Sequence, residues 1–141
     1  MNTILVAVDG SAHAERALKA AAGLAAGLDA TLYLVTVDEP GPLKGEAAAF
    51  AHSENIDRRD VAHALLGSAR SLALEAGAKK IETEIGAGEA SEGILRAADA
   101  HDADMIVLGA RGLSELKGLI MGSVSHKVLN LTRRPCLIVR E

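Results

Sequence analysis

Five short apolar runs alternating with helical periodicities predict an α/β fold: a parallel sheet with helices on both faces. Three observations carry this. The order reads β-α-β-α-β-α-β-α-β. The main strand candidates are continuous apolar runs, the pattern of strands buried on both faces. The length, 141 residues, suits one core, so residues 1–141 are expected to form a single domain.

Thr3-Ile4-Leu5-Val6-Ala7-Val8 is the first strand, stopped by Asp9-Gly10-Ser11. Ser11 is placed to cap the helix that follows. Ala14, Ala17, Leu18, Ala21, Leu24, Ala25 and Leu28 recur at helical spacing and mark residues 12–28 as amphipathic. Thr31 to Val37 is a second strand. Pro40, Gly41, Pro42 and Gly45 then interrupt regular structure, and residues 46–56 fit no single pattern. Ala62, Leu65, Leu66, Ala69, Leu72, Ala73 and Ala76 mark a second helix, ended by Gly77. Lys80 to Ile85 alternates as a shorter strand, and Glu89 to His101 reads as a third helix through Ile94, Leu95 and Ala98. Asp104 to Leu108 is a fourth strand. A glycine-containing segment runs from Gly109 to Gly122, a fourth helix starts near Ser123, and Arg134-Pro135 leads into a last strand, Cys136 to Arg140.

Composition narrows the function. Lys plus Arg number 15 against 19 for Asp plus Glu, a formal charge of −4 with the signs mixed along the chain. Nucleic acid and an anionic membrane are therefore not the expected partners. Tyr33 and Phe50 are the only Phe, Tyr or Trp residues, too few to stack a single strand of bases. Cys136, the one cysteine, sits in an apolar run and reads as a small buried hydrophobe. Ile4 to Val8 is too short for a signal peptide and no run approaches a membrane span, so a cytoplasmic protein is expected. His13, His52, His63, His101 and His126 are scattered, with no pair at metal-ligand spacing.

In doubly wound sheets, ligands bind outside the carboxyl ends of the strands, where the winding direction reverses. Asp9-Gly10-Ser11, Val37-Asp38 and the segment from Gly109 onward are expected at that edge. The last is the most informative: Gly109-Ala110-Arg111-Gly112, nine residues, then Gly122-Ser123-Val124-Ser125. Its glycines permit close approach, its helix start favours an anion, the hydroxyls of Ser123 and Ser125 can add donors, and Arg111 and Lys117 are nearby cations. A polyphosphate would suit it. On the residues alone, turn glycines and an ordinary helix cap fit equally well. His126 and Lys127, one turn further on, read as solvated helix face. No Gly-x-x-x-x-Gly-Lys-[Ser/Thr] is present, Asp9-Gly10-Ser11 lacks the paired aspartates of a phosphatase, and the first turn has no Ser-Gly-Gly-x-Asp-Ser loop.

The Gly-x-x-Gly, nine-residue, Gly-Ser spacing resembles the nucleotide-binding pattern of the universal stress protein family. Ile4 to Ser11 resembles that family's first strand and turn, and Arg134 to Val139 its last strand, so the resemblance spans essentially the whole chain. It implies a Rossmann-like, adenine nucleotide α-hydrolase-like sheet ordered 3-2-1-4-5. It implies that Gly109, Arg111, Gly112, Gly122, Ser123, Val124 and Ser125 hold phosphates and ribose. Ala7, Val8 and Asp9 would border adenine and ribose, and the backbone of Val37 would face the adenine. Asp9 would serve the ribose or anchor a metal or water; by residue type alone it is equally a turn residue. The implied cofactors are ATP and Mg²⁺, the ion held chiefly by the phosphates, with AMP as the alternative nucleotide partner. The implied function is a nucleotide-dependent regulatory dimer in the stress response, engaging a protein partner and pairing through strand 136–140. No positioned general base is evident, so hydrolysis would be slow at most and no catalytic residue is assigned. A slow ATPase or phosphotransferase and a dimerisation module without nucleotide are the rivals.

Overall fold

The computed structural model describes residues 1–39, 58–111 and 121–140. In chain order the described elements are β1 (Thr3–Ala7), α1 (Ala12–Leu28), β2 (Thr31–Asp38), α2 (Arg58–Glu75), β3 (Lys80–Ala87), α3 (Ala90–Ala100), β4 (Met105–Gly109), α4 (Ser123–Leu131) and β5 (Cys136–Val139). All five strands are parallel in one sheet ordered β3-β2-β1-β4-β5, the expected topology. β1 lies at the centre, with Val6 opposite Leu34 on one side and Val107 on the other.

Strand alternation divides the core. Ile4 and Val6 face α1 and α2, packing with Leu18, Ala21, Leu66 and Ala73. Leu5 faces the other way, with Ile94, Ala97 and Val128 of α3 and α4. Ile4, Leu5 and Val6 are all fully buried, which is why the run carries no polar residue. The turn after α2 packs on α1: the Cβ of Ala26 lies 3.4 Å from where a Cβ at Gly77 would stand.

Local signals set the element ends. Ser11 caps α1, its Oγ accepting the amide of Ala14 at 3.1 Å, and Asp29 closes the helix in the left-handed conformation (φ 52°). Gly10 takes φ +85°, which only glycine adopts without strain, and so turns β1 into α1. Some boundaries differ from the sequence expectation. β3 runs two residues further, to Ala87, because it stays paired with β2 to its end. α2 already begins at Arg58, ahead of the apolar periodicity that marks it. Asp104 lies outside β4, its carboxylate accepting the amides of Asn2 and Thr3 at 2.7 and 2.9 Å. Arg140 lies beyond β5.

Candidate functional site

The winding direction reverses between β1 and β4, so the crevice lies above their carboxyl ends. On the β1 side, Ala7 closes the strand half-buried. Val8 is buried, and its amide donates to Val35 O at 2.8 Å. Asp9 follows, half-buried; its Oδ1 accepts the Ser11 amide at 2.9 Å, an Asx turn that fixes the carboxylate at the strand end. Val37 stands at the end of β2, its methyls filling the space beside Gly93 of α3 and Gly86 of β3.

On the β4 side, Gly109 is where the α1 backbone comes closest. A Cβ there would lie 2.7 Å from the carbonyl carbon and oxygen of His13, neither of which can move without shifting the helix. Packing of strand on helix therefore requires this glycine, whatever it does for a ligand. The chain then returns. The Gly122 amide donates to Ala110 O, the Ala110 amide donates to Val139 O at 2.9 Å, and the Ser125 Oγ donates to Gly109 O at 2.6 Å. These contacts fasten the start of α4 to the end of β4. Gly122, the N-cap residue, has no side chain to cap the helix, so the first-turn amides receive no side-chain oxygen from it.

One expectation changes here. Ser125 is buried and its single hydroxyl hydrogen is engaged by Gly109 O, so the hydroxyl positions the helix and is not a donor for an anion. Ser123 is exposed at the helix start, Val124 is half-buried against the α3-side core, and Arg111 is half-buried past the end of β4. Gly112 and Lys117 lie outside the described residues, as do Phe50 and His52. Ala7, Val8, Asp9, Val37, Gly109, Arg111, Gly122, Ser123, Val124 and Ser125 thus all stand at or beside the carboxyl edge of the sheet.

Sequence reasoning missed a charged cluster beside that edge. The Glu39 Oε1 accepts the amide of Ala90 at 3.0 Å, capping α3 from the end of β2. The Lys127 Nζ donates to the Glu89 Oε1 at 2.7 Å, joining α4 to α3, and the Ser91 hydroxyl donates to the same oxygen at 2.7 Å. The Lys127 hydrogen bond, then that of Ser91, holds the Glu89 carboxyl below its ordinary range; the Glu89 contact raises the Lys127 ammonium. Lys127 is therefore half-exposed but engaged, not simply solvated. Glu89, read as the first residue of the third helix, was the available signal, but its partner comes from a different helix. His101, the C-cap residue of α3, stacks on Tyr33 with centroids 4.0 Å apart and meets Glu84 Oε1 at 3.2 Å. Among the described residues, no three His, Cys, Asp or Glu side chains gather as a metal site. Among them, too, no helix is long and apolar enough to cross a membrane.

The sequence profile of the universal stress protein family matches residues 1–140. The chain belongs to this family. A relative from Bacillus subtilis, universal stress protein YxiE, is 37% identical, with 99% of each chain covered. Among solved structures, a universal stress protein in complex with cAMP is 29% identical with a TM-score of 0.75, covering 99% of this chain and 96% of that one. The universal stress protein from Archaeoglobus fulgidus in complex with dAMP is 26% identical with a TM-score of 0.69, covering 98% and 97%.

Proposed function

We propose that this universal stress protein binds ATP with Mg²⁺ between the ends of β1 and β4 and acts as a nucleotide-dependent regulatory homodimer in the cytoplasm. One contact carries the proposal: the hydrogen bond from the Gly122 amide to Ala110 O, which brings a helix start whose N-cap residue is glycine to the topological switch point. A helix N-terminus there favours the negative charge of a triphosphate through its amides and dipole. Ser123, Val124 and Ser125 supply the amides, Ser123 adds its hydroxyl, and Arg111 adds positive charge. Gly112 completes the motif by its sequence spacing. Val8 and Val37 offer aliphatic and backbone edges to adenine. Asp9 retains Oδ2 outside its turn bond for the ribose or for Mg²⁺, which otherwise rests on the phosphates. Two relatives are named as complexes with cAMP and dAMP, so adenine nucleotides are the ligand class that the likeness supports. The bound nucleotide is proposed to change which regulatory protein the dimer engages.

Thermal melting with and without Mg·ATP tests this. At about 100 times the dissociation constant, binding adds about 2.7 kcal/mol of stability and raises the midpoint. Unchanged melting across millimolar ATP would reject nucleotide binding. Gly122→Val should abolish the rise by crowding the phosphates. Single-turnover release of ADP separates sensor from enzyme: turnover of about 1 per second or faster would make it an enzyme.

A further inference from the structure

On the face of the sheet that carries α1 and α2, a cavity of about 340 Å³ opens between the two helices. It shares Val8 and Asp9 with the nucleotide edge but reaches none of Val37, Gly109 or Gly122. Its size falls within the range of small-molecule pockets. At about 30 Å³ per water-sized unit, it has room for on the order of ten heavy atoms.

The sequence creates this space through side-chain size. Ala14 on α1 and Ala69 on α2, both buried, are among its lining residues, and their small side chains leave space between the helices. Leu65 and Leu72, two turns apart on α2, form half-buried aliphatic walls, and Leu65 also closes over Gly10. Asp9, Glu15 and the hydroxyl-bearing Ser11 and Ser68 supply its polar lining, and among the described residues no Lys or Arg lines the cavity. Two carboxylates outweigh the roughly half-unit of positive charge at the α1 N-terminus. Glu15 also meets Lys19 at 3.4 Å, but that pair is half-exposed and of the weak surface kind. Among the described residues the lining is thus largely apolar, and its charged groups are both carboxylates.

We propose that it binds a small amphiphile: an aliphatic or aromatic body of about ten heavy atoms ending in a primary ammonium, which is protonated at neutral pH as lysine is. The apolar body would lie between Leu65, Leu72 and Leu18, and the ammonium at Glu15 and Asp9.

The test uses the full chain with n-octylammonium, n-octanol and octanoate, all below micellar concentrations, followed by two-dimensional amide NMR. Octylammonium should bind at least tenfold more tightly than octanoate, with shifts confined to residues 8–18 and 61–72. Glu15→Gln should lower that preference threefold or more. Ser68→Phe, at an exposed rim position, should block binding while the helical circular dichroism is kept. Gly122→Val should leave octylammonium binding unchanged, which separates this site from the nucleotide proposal. Equal binding of octanoate, shifts elsewhere on the protein, or normal binding by Ser68→Phe would overturn the proposal. So would finding the cavity filled by a second copy, seen as no binding by wild type and a lower sedimentation mass for Ser68→Phe.

Discussion

Ser123 and Ser125 stand two residues apart at the start of α4 and have different jobs. The Ser125 hydroxyl is buried and bound to Gly109 O, while Ser123 is exposed at the mouth of the crevice. Removing a buried hydrogen bond costs about 1 kcal/mol or somewhat more, because Gly109 O is left without this donor. Ser125→Ala should therefore lower stability in urea without nucleotide, by about 1 kcal/mol. Ser123→Ala should weaken ATP roughly fivefold, the equivalent of about 1 kcal/mol. Denaturation and nucleotide titration of both variants check this; the opposite pattern would move the phosphate contact from Ser123 to Ser125. The sequence shows two serines in one motif and nothing of this division. Which hydroxyl points inward depends on where α4 meets β4, and that contact spans the distance between Gly109 and Ser125 in the chain. Gly109 is a similar case: its glycine spacing reads as a ligand feature, yet the backbone of His13 alone demands it.

At the scale of elements, three polar ties join segments distant in sequence. Glu89–Lys127 links α3 to α4, Glu39 caps α3 from β2, and Asp104 fastens the start of β1 to β4. The Asn2 amide first, then the Thr3 amide, holds the Asp104 carboxyl below its ordinary range. A carboxyl lowered on folding stabilises the protein above the ordinary aspartate range, and that contribution is lost as pH falls through the folded value. Asp104→Asn should melt below wild type at neutral pH, and the two should converge as pH falls below the ordinary aspartate range. Melting curves across that interval check it; a gap that stays constant down to acid would mean the charge is not what matters. The strands and helices themselves were legible because apolar runs and helical periodicity follow directly from burial. The ties were not, since each pairs a charged surface residue with a group whose position only the tertiary fold sets. The cavity between α1 and α2 escaped for a related reason: alanine reads as ordinary helix content until two alanine-rich faces fail to close.

For the molecule as a whole, the order β3-β2-β1-β4-β5 leaves β5 with one neighbour among the described strands. Every residue from Cys136 to Val139 is half-buried, and none is charged, so this edge lacks the usual guards against further pairing. Ile106 N–H and Ala110 N–H reach Pro135 O and Val139 O at 2.9 Å, so the odd-numbered residues face β4. By strand alternation, the N–H and C=O of Cys136 and Ile138 turn outward. The proposed dimer would use those groups to pair β5 with its copy across a twofold axis, extending one sheet through both protomers. Proline at Ile138 would remove one outward N–H without breaking a bond to β4. Ile138→Pro should therefore sediment at the 14.5 kDa of one chain, with wild type at twice that mass. The Ile138 side chain also packs on the α3-side core, so a second measurement is needed that leaves the residue intact. Hydrogen exchange of the Ile138 amide in wild type supplies it. Protection that rises with protein concentration is expected of a paired edge, and rapid exchange at all concentrations would mean that β5 remains the open end of the sheet.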